Sequence, residues 1–296
     1  MQNKRKAFTM IELVFVIVIM GILAKFGVAF LFQAYNNFIS SKINNELQAE
    51  SESAIEFSAS RLQYRIKDSV VIRRDINDSN VTAIADANDS NYTVIEWVGT
   101  DSDGFRGEKL PNWSGIIDID LSDKDNLYSP ETNTTKENNL IQALSNNKSD
   151  INDSAIYFLG SDSDIHSGYG WEGAITDQNR TMHPINSEEN ISIFAPASGT
   201  DDFHDVGEQY KLAWSAYALS LEDYDTATKM GNLYFYYNFQ PWNGDKLTDA
   251  NISKSLLMKN VSTFQFAAVG SLLKLQICVK SMLKENYSLC KEKTIF

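Results

Sequence analysis

Histidine and cysteine are scarce in this chain of 296 residues, at three and two, and its 26 Lys and Arg are outnumbered by 39 Asp and Glu, for a formal net charge of −13. Each shortage excludes something. His166, His183 and His204 have no zinc-type spacing, so no His-built metal centre is written into the chain. The acidic balance removes the clustered cations that phosphate contacts need, and direct nucleic-acid binding is not expected. No Gly-x-Ser-x-Gly elbow and no phosphate-cradling glycine loop occurs. The chain is therefore not expected to be an enzyme or to require a cofactor. From Gln33 to Asp68 proline and glycine are missing altogether, which leaves a long stretch free of helix breakers.

What is present begins at the N-terminus. Lys4, Arg5 and Lys6 precede an apolar run, Leu13 to Phe32, whose 20 residues carry one charge, Lys25. At about 1.5 Å rise per residue a helix of that length spans the roughly 30 Å hydrocarbon core of a bilayer. The cations lie before the run and mainly neutral residues follow it, so the N-terminus is expected in the cytoplasm and the remainder on the far side. Glu12 stands at the start of the run. A carboxylate in an apolar helix costs about 2.5 to 3.5 kcal/mol on insertion scales. No basic residue lies three or four places from Glu12 inside the run. A cut between Ala7 and Phe8 would create an α-amino group at the right depth, and in a staggered bundle the amine of one subunit could neutralise the carboxylate of the next.

These residues resemble the type IV prepilins and the pseudopilins of type II secretion, whose short basic leader is cut before a Phe, with Thr next and Glu as the fifth residue of the mature chain. Here the positions are Phe8, Thr9 and Glu12, followed by LVFVIVIMGILA. The family usually has Gly before the cut; this chain has Ala7. The resemblance implies cleavage after Ala7 and N-methylation of Phe8 by a prepilin peptidase. It also implies partners in other pilins or pseudopilins, in the membrane, and in an inner-membrane assembly platform with its ATPase. A secretory signal peptide has a shorter apolar region ending in a small-x-small site, and a plain signal anchor has no use for the acid.

Beyond the membrane the helix is expected to continue to about Asp68, because Ile39, Ile43, Leu47, Ala54, Leu62 and Ile66 form one apolar stripe. The expected organisation is a removable leader at 1–7, a transmembrane and assembly helix at 8–35, its amphipathic continuation at 36–68, and an exported β-rich domain at 69–296. Strand-like segments fall at 70–74, 92–98, 115–121, 155–160, 191–195, 211–222, 232–239, 261–269, 272–279 and 289–296, separated by turn residues. The expected fold class is α+β, pilin-like, with a long N-terminal helix packed on a mainly antiparallel sheet. The closing segments, with VSTFQF before LLKLQICVK and CKEKTIF, are similar to the terminal strands of larger minor pilins and of the J-type minor pseudopilin.

Cys278 and Cys290 flank the polar connection KSMLKENYS at equal distance from Lys284. In an exported domain they are expected to form a disulfide across a terminal hairpin. The pattern acid-x-Asn-x-Ser/Thr recurs, with asparagines at Asn77, Asn80, Asn88, Asn91, Asn133, Asn152, Asn190 and Asn251. It resembles the extended acceptor of bacterial N-glycosylation; solvated Asp/Asn/Ser loops are the plain alternative. Asp101, Asp103 and Glu108 surround Gly104 in the manner of a loop gathering oxygen ligands for calcium, without the third acid and spacing of an EF-hand; Asp118, Asp120, Asp123 and Asp125 form another such run and Asp162, Asp164 and His166 a third, and solvated acidic turns are the plain account of each. Asp201, Asp202, His204 and Asp205 read as a polar loop. Trp97, Trp113, Trp171, Trp214 and Trp242 read as core or interface anchors.

The function expected is that of a minor pilin or pseudopilin subunit, bulkier than a major pilin and so present at low copy or near a filament tip. The alternatives are a membrane-anchored surface binding module that never polymerises and an exported hydrolase using the acidic clusters.

Overall fold

The structure, a computed structural model, describes residues 9–161, 164–187, 192–281 and 287–296. Ala7, Phe8, Asp162, Asn190 and Lys284 lie outside the described residues. By its contacts the chain divides into a unit up to Ala49 and a second from Glu50 to Phe296.

Helix α1 runs from Met10 to Gln63. Every large apolar side chain from Met10 to Phe38 is exposed, an uninterrupted apolar surface longer than a soluble monomer ordinarily shows. The helix is long and apolar enough to cross a membrane. From Glu50 onward its character changes: Ala54, Ile55, Ala59 and Leu62 are buried in the second unit while Glu52 and Glu56 stay at the surface.

The helix stops five residues earlier than the expected Asp68, and the cause is competition from a strand. Tyr64 and Arg65 close the last turn on Arg61 and Leu62, Arg65 then bridges Gly99, and the Ile66 N–H donates to the Val98 carbonyl at 2.9 Å. A short 3-10 turn at Lys67–Ser69 leads into β1 (Val71–Arg73), β2 (Thr82–Ala83) and β3 (Val94–Gly99). An excursion from 100 to 214 follows. It holds α2 (Ser102–Arg106), β4 (Leu127–Tyr128), α3 (Thr134–Ser145), β5 (Ala155–Phe158), β6 (Met182–Asn186), β7 (Ile193–Pro196) and β8 (Tyr210–Ala213). The chain then returns through β9 (Ser215–Asp225), β10 (Met230–Phe239), β11 (Ser253–Val269), β12 (Leu272–Lys280) and β13 (Ser288–Ile295).

The strands among the described residues form two sheets. The larger is ordered β13-β12-β11-β10-β9-β3-β1-β2 and the smaller β4-β7-β6-β5-β8, and every pairing is antiparallel. This is the α+β arrangement expected, an apolar N-terminal helix followed by an antiparallel domain. Gly99 pairs with Ser215, so residues 100–214 are an insertion between two neighbouring strands of the large sheet.

Two expected strands are corrected. The segment 211–222 is two strands rather than one, broken at Trp214, where the chain passes from the small sheet to the large one. The segment 115–121 forms no strand beyond an isolated bridge at Ile116; Asp118 accepts hydrogen bonds from the Asp120 and Leu121 amides and turns it into a 3-10 helix at Ile119–Leu121. Alternation alone reads as a strand, but an Asp that can bond its own backbone two residues on favours a turn.

Candidate functional site

The site the sequence singles out opens α1. Thr9 occupies the N-cap: its carbonyl accepts the first intrahelical bond, from the Leu13 amide at 3.3 Å. The Glu12 amide donates to Thr9 Oγ1 at 3.4 Å, and Glu12 Oε2 accepts from both the Thr9 amide and the Thr9 hydroxyl, each at 2.9 Å. This is a reciprocal capping box, in which the N-cap hydroxyl and the carboxylate three residues on satisfy each other's backbone donors. The Thr-x-x-Glu spacing that encodes it was open to view in the sequence. Glu12 thus has a partner within its own chain, and the helix dipole adds to its stabilisation there. Its Oε1 makes no hydrogen bond among the described residues and stays open to an outside donor. The box lies wholly beyond residue 8, so a cut after Ala7 leaves it intact.

At the other end of the chain Cys278 and Cys290 are directly opposed on β12 and β13 and joined by a disulfide with Cα atoms 4.0 Å apart, as expected. On the same strand Lys291 pairs with Glu52 and Lys293 with Glu56. Two residues along a strand, about 6.6 Å, match four along a helix, about 6 Å, so the two ladders fall in step.

The asparagines of the repeated pattern are all exposed wherever they are described, at Asn77, Asn80, Asn88, Asn91, Asn133, Asn152 and Asn251. A further occurrence, Asp177-Gln178-Asn179-Arg180-Thr181, was overlooked in the sequence and shares the pattern in full. The structure gives the preceding acid a local role. Asp75, Asp78, Asp89, Asp150 and Asp177 each accept the amide of the asparagine two residues on, at 2.7 to 2.9 Å. These are Asx turns, which explain why acid and asparagine recur at this spacing. Asn133 Oδ1 caps α3 through the Lys136 amide, Asn152 Oδ1 accepts from Ser187, and Asn88 Oδ1 accepts from Tyr92. The side chains of Asn77, Asn91 and Asn251 make no such bond among the described residues.

Among the weak calcium candidates Asp101, Asp103 and Glu108, the first has a local role that serves the fold. Among the described residues no group of three His, Cys, Asp or Glu side chains is gathered to hold an ion. Asp101 instead caps α2 through the Gly104 amide at 3.2 Å and accepts the Trp113 indole N–H at 2.7 Å. Its neighbour is Glu137 on α3, which accepts from Asn112 at 3.1 Å. The two carboxyls converge on Gly104, where a Cβ would lie 2.0 Å from Asp101 Oδ2 and 2.2 Å from Glu137 Oε2. Burial, and then the Asp101 charge beside it, push the Glu137 carboxyl up to about 9, so Glu137 keeps its proton at neutral pH. Asp118 and Asp123 close turns of their own backbone, while Asp125 and Asp202 pair with Lys124. Asp164 accepts from the His166 amide, and the His166 ring pairs with Glu172. All five tryptophans are buried core anchors, as read from the sequence.

Fold and site together describe a chain whose capped helix, long and apolar enough to cross a membrane, precedes an antiparallel domain. The prokaryotic N-terminal methylation motif matches residues 2–24, which takes in the basic leader, Thr9, Glu12 and the first half of the apolar run. That match supports a prepilin-like N-terminus of the kind a prepilin peptidase processes. No curated protein and no solved structure matches the chain.

Proposed function

We propose that the chain is a minor pilin or pseudopilin, a structural subunit rather than a catalyst. A prepilin peptidase cuts between Ala7 and Phe8 and methylates the new amine. The helix then waits in the inner membrane with its N-terminus cytoplasmic and its β-rich domain periplasmic. An assembly platform driven by an ATPase moves it into a type IV pilus or a type II secretion-type filament beside other pilins. The observation that carries the reading is the open Oε1 of Glu12, held by the Thr9 box inside the methylation motif, at the head of a helix whose large apolar side chains are exposed from Met10 to Phe38. In a staggered bundle that oxygen would receive the methylated amine of the adjacent subunit. Intact-mass analysis of the natural protein is expected to find residues 1–7 gone and one methyl group added. Recovery of the chain with its leader attached would support an anchored module that never polymerises and would overturn this reading.

The exposed sequons support a second feature, N-linked glycan in a host that has the transferase. Asn77, Asn91 and Asn251 are the sites of choice, because their side-chain amides are exposed and uncommitted. Glycopeptide mapping that finds these three bare in such a host removes the proposal.

A further inference from the structure

A groove of about 670 Å³ is lined by the end of α1, by α2 and by β8, the edge strand of the small sheet. Tyr64, Phe105, Ile116 and Leu159 all line it, and each remains 44 to 52 % exposed. A single exposed apolar side chain is ordinary, but four on one groove mark a contact surface.

The groove is cationic in an acidic protein. Arg65, Arg106 and Lys211 line it. Arg65 donates to the Leu62 and Ser271 carbonyls, while the Arg106 and Lys211 side chains make no hydrogen bond or ion pair among the described residues. Burial, and then the Lys67 charge, hold the Lys211 ammonium below the usual lysine range. Among the described residues the one acid on the lining is Asp101, which is buried and committed to the Gly104 amide and the Trp113 indole. Three cations without an ion-paired carboxylate call for an anion from outside, and the exposed apolar side chains beside them call for one that carries hydrocarbon.

The chain itself exposes such a segment. Three residues on from Ile116, the 3-10 turn Ile119–Leu121 presents Ile119 at 42 % and Leu121 at 68 % exposure. Around them Asp118 and Asp123 accept from amides alone, and the Asp120 side chain makes no hydrogen bond or ion pair among the described residues, so the turn keeps its negative charge. Apolar side chains between carboxylates are the complement of cations beside apolar side chains. Groove and turn follow one another along the chain through Ile116, so two copies can meet about a two-fold axis with each turn entering the other's groove. We propose that the protein pairs with a second copy of itself, the acidic turn 118–123 of each seated in the basic groove of the other. The pairing rests neither on removal of the leader nor on Glu12.

The test is sedimentation velocity of the full chain in lauryldimethylamine oxide micelles at low salt, where dimers are expected to form between about 10 and 100 µM. The double variant Arg106→Glu, Lys211→Glu sets acid against acid at both contacts, and Asp120→Lys sets a cation against Arg106 and Lys211. Each alone is expected to dissociate about tenfold more readily than the parent. An equimolar mixture of the two restores opposite charges at both contacts and is expected to recover the parent's affinity, whereas association driven by the apolar helix is blind to the exchange. Near-UV dichroism checks each fold, and Arg106→Glu alone replaces the double variant if that fails to fold. A chain that stays monomeric throughout, variants that pair as the parent does, or a mixture no tighter than its parts overturns the pairing. So does a monomer that binds fluorescein-labelled oligoglutamate, which gives the groove to a different protein.

Discussion

Glu12 is asked to do two things, and its two oxygens separate them. Oε2 belongs to the Thr9 box and Oε1 faces outward. Glutamine can complete a capping box as well as glutamate, so Glu12→Gln is expected to keep the helix start and membrane insertion while losing incorporation into filaments. Glu12→Ala should lose incorporation and also the cap, at about 0.5 to 2 kcal/mol of helix stability. The fraction of subunit in sheared filaments reads the first effect and helicity in micelles the second. Normal assembly of the glutamine variant would show that the carboxylate charge has no docking role. The carboxylate itself was plain from the sequence because a charge stands out in an apolar run. Its local partner stands out less, because a threonine three residues back carries no charge to mark it. Glu137 gives a second test. Its carboxyl, near 4.5 when unfolded, is raised to about 9 when folded, so the folded state binds the extra proton. Its contribution is therefore complete below pH 4.5 and is lost as pH rises toward 9, by at most about 1.4 kcal/mol per pH unit. Thermal melts from pH 5 to 9 should decline, and Glu137→Gln should flatten that slope.

At the scale of elements, the strands with unbroken apolar alternation were legible, and the terminal hairpin most of all. Its cysteines sit symmetrically about the connection and meet in register on β12 and β13. Replacing both with serine is expected to cost roughly 2 to 3 kcal/mol, the chain-entropy value for a loop of about a dozen residues. Denaturant midpoints with and without reductant measure it, and a variant as stable as the parent would show that the bond crosslinks without constraining the unfolded chain. Helix α3 was not legible. Its sequence TTKENNLIQALS is polar enough to pass for a loop, and its buried Ile141 and Glu137 show an inward face only once a core exists to receive them. The available signal was Asn133 just before the helix, and it was read only as a glycan acceptor. The break at Trp214 was hidden for the opposite reason. Ser215 alone interrupts the apolar residues there, and only the partner strands reveal that the chain has changed sheets.

For the domain as a whole, the least legible feature is the insertion. No shift of composition marks residue 100 or 214, and the pairing of Gly99 with Ser215 spans the whole excursion. An insertion of this size is large enough to be a separate folding unit, but its packing argues otherwise. One apolar cluster joins Ile66, Val71, Val94 and Val98 of the large-sheet region to Ala155, Tyr157, Trp171 and Met182 of the insertion. A second cluster, around Ile141, Phe158, Phe194 and Trp214, lies within the insertion and at its exit. The small sheet could not unfold without baring the first cluster, so residues from Glu50 onward are expected to unfold in one cooperative transition despite their number. Tryptophan fluorescence reports both regions, through Trp97 and Trp242 on one side and Trp113 on the other. Met182→Ala, at a fully buried position of the shared cluster, should move the whole curve by about 2 to 5 kcal/mol without splitting it. Two resolved transitions, with only one moved by that substitution, would mean that the insertion folds by itself and that the shared cluster is an interface rather than a core.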